Sequence, residues 1–302
     1  MTLDAPPDAR GGLRTQLVAW SNADAIAAAD ATVKRLRELG VSVKPGNRLV
    51  LARDLIRRAD RFAVQYGHGS METELAVAEA NRTVFEQYLI VKRVQVHDDA
   101  TRERLEEMIG GPLVPTGRWD RPRDTQLELF AAVILWGAGF RVDWGEPDLI
   151  ASRPGFVYGI PVKRVSSDRQ FRKRVREAQK QLIKHGRSGF IVVGAEPYLT
   201  RLYRAARTAD LRAALFQKTG EWVDYLDATK PDRVLGVIGL ATSFRLARDN
   251  LRFWLEFQVH VHPRFVVHGR PEELAHVDTV GQDMIASLYR TITPLVQRPA
   301  TT

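Results

Sequence analysis

Between Gly145 and Val165 the chain reads GEPDLIASRPGFVYGIPVKRV, two apolar, β-rich runs on either side of Arg153-Pro154-Gly155-Phe156. A Pro-Gly pair between such runs is a turn signal, so 148–152 and 157–165 are expected to pair as a hairpin. With Ser152 opposite Val157, Asp148 falls opposite Pro161, the β-carbons about 5 Å apart. Lys163 lies two residues further on, and strand alternation returns it to the same face, about 7 Å along. The stretch commits the middle of the chain to a sheet and gives one face of it a carboxylate and an ammonium group. Pro161 has no N–H for a ladder, which confines it to an edge or a bulge and predicts a kink beside that pair. The plainer reading is an ordinary hairpin in which Asp148 caps the turn region and Lys163 is solvated.

A helix is expected before the hairpin, over 123–136, with Leu127, Phe130, Ala131 and Ile134 on one face and Glu128 at its border. After it, 169–184 reads as a helix whose buried stripe is Phe171, Val175, Ala178 and Leu182, and 190–194 as a short buried strand. In this order of elements, Pro147-Asp148, Lys163 within GIPVKR, and Glu128 within Thr125-Gln126-Leu127-Glu128-Leu129-Phe130 resemble the PD-(D/E)xK phosphodiesterase superfamily. The resemblance covers residues 121–197. Pro161 stands where that superfamily has its second acid.

The resemblance implies an α/β fold, a restriction-endonuclease-like mixed sheet flanked by helices. It also implies a metal-dependent nuclease, a hydrolase of nucleic-acid phosphodiesters, with Glu128, Asp148 and Lys163 as catalytic residues. Its cofactor would be Mg²⁺ or Mn²⁺, held by Asp148 and Glu128. The chemistry accounts for the residue types. A hard divalent cation takes oxygen ligands at about 2.0–2.1 Å, polarises a phosphoryl oxygen and acidifies a bound water, while a lysine stabilises developing negative charge. Pro161 has only its backbone carbonyl to offer, and Glu146 is a candidate relocated acid. The alternative function is a catalytically inactive PD-(D/E)xK-like protein that binds DNA or a protein partner.

Forty-five Lys and Arg against 36 Asp and Glu give a formal charge of +9, which favours a polyanionic partner. The expected partner is nucleic acid, DNA first. Arg164, Arg169, Arg172, Lys173, Arg176 and Lys180 cluster directly after the hairpin and are the candidate nucleic-acid-binding residues; a solvated basic helix face is the plain alternative. Gln179, near the apolar stripe, is a further candidate. The absence of cysteine excludes disulfides and thiolate catalysis. The longest apolar run, 129–140, is too short to span a bilayer, and the N-terminus lacks a signal pattern, so a cytoplasmic protein without membrane contact is expected.

The expected organisation is a disordered lead-in over 1–14, an all-helical N-terminal domain over 15–114, the α/β domain over 115–298 and a tail over 299–302. Ser21 is a predicted N-cap and Gly40 a helix stop. Further helices are expected over 49–66 and 71–91, with a short one capped by Asp98 or Asp99 and ending at Gly110. This domain is where a protein partner or a second copy would bind. Pro112, Pro115 and Gly117 mark the linker. In the α/β domain a helix is expected over 198–217, strands over 234–241 and 253–262, and a terminal helix over 279–295. His260 and His262 alternate along the last strand, a spacing that suits zinc or two solvent-facing imidazoles; His268 and His276 lie downstream.

Overall fold

The computed structural model describes residues 14–66, 71–96, 98–113, 120–198, 201, 211–249, 252–265, 279, 283 and 286. The fold is mixed α/β. A strand, β1 (Arg14–Trp20), is followed by α1 (Asn22–Glu38), α2 (Arg48–Tyr66), α3 (Met71–Arg93), α4 (Asp99–Ile109) and α5 (Arg121–Gly137). Strands β2 (Arg141–Trp144), β3 (Leu149–Arg153), β4 (Phe156–Ile160) and β5 (Val162–Arg164) come next, then α6 (Asp168–Lys184) and β6 (Gly189–Gly194). A further helix, α7 (Leu211–Thr229), precedes β7 (Val234–Asp249) and β8 (Arg252–Phe265). The lead-in over 1–13, the linker around Pro115 and the tail lie outside the described residues, as does most of the expected terminal helix. The chain divides into two compact units, one containing α1 to α4 and most of α5 together with the strand residues Phe244–Gln258, the other β2 to β6, α6, α7, the first part of β7 and the end of β8.

In the helical unit the local signals act as the sequence indicates. Ser21 caps α1 through a reciprocal box, accepting from the Asp24 N–H at 3.1 Å while its own N–H donates to the Asp24 carboxylate at 3.0 Å. Gly40 adopts φ +79° just past the helix end, a conformation that costs a glycine nothing. Asp98 caps α4. Helices α1, α2 and α3 pack on one another around Leu36, Leu49, Ile56, Phe85 and Leu89, all fully buried. Arg48 is fully buried as well, donating through Nη2 to the Met108 carbonyl at 2.7 Å and to Gln126 Oε1 at 2.6 Å. Burial and the nearby Arg123 lower its pKa to about 9, so it remains charged at neutral pH. The expectation of helix throughout 15–114 does not include β1, which pairs with β8 from the far end of the sequence.

In the α/β unit β2, β3 and β4 form an antiparallel meander, and the expected register is found: Ser152 pairs with Val157 and Leu149 with Ile160. One expectation is corrected. The run 157–165 is two strands, because Pro161 supplies no N–H to continue the ladder. The chain therefore leaves β3 after Ile160, and β5 pairs instead with β6, Val162 opposite Val192 and Lys163 opposite Val193. Strands β4, β5 and β7 each run parallel to β6, which makes the sheet mixed. The hydrogen-bonded order is β1-β8-β7-β6-β4-β3-β2, with β5 beside β6 off that path. All six residues of β6 are buried.

Helix α6 packs through Phe171, Val175, Ala178 and Leu182, the stripe read from the sequence, against Ile191, Val193, Trp222 and Leu226. Phe171 and Trp222 stack with ring centroids 4.7 Å apart. The helix expected to end at Gln217 continues through Gly220 to Thr229; burial of Trp222, Val223 and Leu226 outweighs the cost of a glycine in its interior, about 1 kcal/mol. Strands β7 and β8 are found, both longer than expected. The side chains of His260 and His262 lie outside the description, as do His268 and His276.

Candidate functional site

The site is built where Pro161 breaks the sheet. Asp148 precedes β3 with φ +65°, in the left-handed region that aspartate tolerates better than most residues. Its Oδ2 accepts from the Val162 N–H at 2.7 Å and from Lys163 Nζ at 2.6 Å. Both side chains are largely enclosed, Asp148 at 20% and Lys163 at 13% exposure. The structure therefore brings together the two residues placed on one face by the sequence, by a different route. Lys163 arrives on β5 through the pairing with β6, and its long side chain brings the ammonium to 2.6 Å from the carboxylate. Asp148 Oδ1 takes no hydrogen bond among the described residues.

The neighbouring oxygens have other commitments. The Pro161 carbonyl accepts from the Val192 N–H at 2.9 Å, so it serves the β5–β6 ladder. Glu146 lies with Oε2 4.0 Å from His185 Nε2, and its carbonyl accepts from Arg187 Nη1. Glu128 is buried in the helical unit, where Arg104 Nη1 donates to its Oε2 at 2.6 Å. Among the described residues no group of three or more His, Asp or Glu side chains is placed to hold a metal ion. A magnesium ion is commonly held by one or two carboxylates together with substrate phosphate and water. Asp148, with a free Oδ1, fits the lower end of that range.

The candidate nucleic-acid residues fall into two groups. Arg164 is partly buried, donating to Glu196 Oε1 at 2.6 Å; Lys173 approaches Glu177 at 3.8 Å; Arg172 lies over the Tyr225 ring, 5.4 Å from its centroid. Arg169, Arg176 and Lys180 are exposed on α6 with no ion pair among the described residues. Gln179 is half-buried.

Three residues with structural roles had no separate signal in the sequence. His185 and Arg187, in the turn after α6, hold the Glu146–Asp148 segment, and only their position between a basic helix and a buried strand would have drawn attention to them. Lys218 donates to Asp168 at 3.2 Å and to Glu221, tying α7 to the start of α6. Burial alone would lower its pKa, but the bonds to Glu221 and Asp168 outweigh burial and raise it above the ordinary value.

No described helix is long and apolar enough to cross a membrane. Comparison with protein-family models, with curated proteins and with solved structures found no match.

Proposed function

We propose that the chain is a metal-dependent nucleic-acid phosphodiesterase of the PD-(D/E)xK kind, with a restriction-endonuclease-like sheet and a centre weakened by proline in place of its second acid. The observation that carries this reading is the convergence of the Asp148 carboxylate and the Lys163 ammonium from two strands into one enclosed contact at 2.6 Å. Asp148 would hold the cation through Oδ1, the oxygen that accepts no donor among the described residues. When bound, Mg²⁺ or Mn²⁺ supplies a polarised phosphoryl oxygen and an acidified water. The protein's own part is electrostatic. Lys163 has three N–H donors and uses one on Asp148, which leaves two for the charge that grows on the phosphoryl oxygens. Arg169, Arg176 and Lys180 attract and hold the polyanion along α6.

Replacing Lys163 by Ala tests the role given to its ammonium. Turnover on a DNA substrate is expected to fall about 10²–10³-fold, as for the loss of one transition-state donor, with less than about threefold change in DNA affinity. Equal losses in both would reduce Lys163 to a phosphate contact.

A second reading, an inactive relative that binds DNA or a protein partner, is favoured by a specific observation: Asp148 Oδ2 is already held twice, and the Pro161 carbonyl belongs to the ladder. Pro161→Glu separates the two. Cleavage that appears only in this variant assigns the natural chain to the inactive class, whereas cleavage by the natural chain, strengthened by the substitution, supports the phosphodiesterase.

A further inference from the structure

The end of α6 and its cap carry two buried polar atoms without a hydrogen-bond partner among the described residues, Gln181 Oε1 and His185 Nε2. His185 is the residue that caps the end of α6, and its N–H still donates to the Gln181 carbonyl at 3.1 Å, which sets it one turn above Gln181. The third group is Glu146, whose Oε2 is 4.0 Å from His185 Nε2 and whose side chain is 61% exposed. Its backbone is fixed from two directions. Arg187 Nη1 binds its carbonyl, and the next residue, Pro147, meets Leu182 of α6 over Gly159, where a β-carbon would lie 3.0 Å from Pro147 Cγ and 2.7 Å from Leu182 Cδ2.

One imidazole nitrogen, one carboxylate oxygen and one amide oxygen make a mixed N/O donor set, suited to zinc, cobalt or manganese rather than to calcium. Ligands each about 2.0–2.2 Å from a tetrahedral ion lie about 3.3–3.6 Å from one another. The exposed Glu146 side chain has only to move about half an ångström toward His185 to meet that spacing. We infer that Glu146, His185 and Gln181 form a divalent transition-metal site beside Asp148, the amide of Gln181 completing a set that His and Glu alone leave at two. The ion would be distinct from the one that Asp148 holds through Oδ1, a second cation beside the same segment of chain. Any part in catalysis rests on the phosphodiesterase reading; the metal site itself does not.

Titration of the full chain with Co²⁺, followed by its visible absorption and by calorimetry, tests the site. A Co²⁺ is expected to bind at this site, with affinity falling at least about tenfold in His185→Ala and in Glu146→Gln and changing less than about threefold in Asp148→Asn. Glu146→Gln alters a mostly exposed side chain, so its effect is not masked by misfolding. Wild-type protein without bound Co²⁺, undiminished binding in His185→Ala, or loss confined to Asp148→Asn would each overturn the inference. A His185-dependent Co²⁺ site in a chain that cleaves nothing would end the phosphodiesterase reading and uphold this one.

Discussion

At the residue scale the structure turns on Asp148. Its left-handed backbone and its pairing with Lys163 are separate properties, and substitutions separate them. Asn keeps the tolerance for φ +65° and the shape while removing the charge; Ala also strains the backbone, by about 1 kcal/mol. Asp148→Ala is therefore expected to be less stable than Asp148→Asn by about that amount in urea unfolding, with both equally impaired in cleavage. Removing Lys163 instead leaves a largely buried carboxylate with only the Val162 N–H. Breaking a fully buried pair costs about 3–5 kcal/mol, and the partial exposure here reduces the expected loss for Lys163→Ala to about 1–3 kcal/mol. The hairpin register and the sharing of one face by Asp148 and Lys163 were legible because a Pro-Gly turn and a two-residue period are local rules; the route of Lys163 through β6 was not. The commitments of Glu128 to Arg104 and of Glu146 to His185 were not, because each joins segments distant in sequence.

At the element scale two glycines let β4 and β6 approach. A β-carbon on Gly189 would lie 1.7 Å from the Gly159 carbonyl oxygen, a clash with backbone that no rotamer relieves. Gly189→Ala is expected to cost at least about 3 kcal/mol, above the usual range for overpacking, measured as a fall in thermal midpoint. Helix α6 has a different test. If Arg176 and Lys180 contact phosphates, replacing both by Ala should make the slope of log affinity against log salt on duplex DNA shallower by about 2, at about 0.9 per contact; an unchanged slope would leave them as solvated charges. The α6 stripe was readable from its 3.6-residue period. The partner of β1 was not, since β8 lies at the other end of the sequence, and neither was the switch of β5 to β6. Pro161 announced a break, but where the strand went next depended on β6. The extent of α7 was hidden by Gly220, a local stop signal overruled by the packing of Trp222 and Leu226.

At the scale of the whole molecule the chain carries a formal charge of +9, while the helical unit depends on buried charge. Glu79 is buried between Arg82 and Arg123. Burial pushes its carboxyl pKa up, but the two guanidinium groups outweigh burial and hold it below the ordinary 4.5. A depressed folded pKa means that stability from this group is complete above pH 4.5 and is lost as the pH falls through the folded value. Glu79→Gln is expected to lose about 3–5 kcal/mol at neutral pH and, with it, part of the acid dependence of unfolding monitored by circular dichroism. The role of the enclosed carboxylate and ammonium is measured most directly by cleavage. Incubated with DNA and increasing Mn²⁺ or Mg²⁺, the wild-type chain is predicted to cut in proportion to metal occupancy, and Asp148→Asn to bind the same DNA without cutting it. DNA left intact by the wild type at saturating metal, or cut equally well by Asp148→Asn, would contradict it.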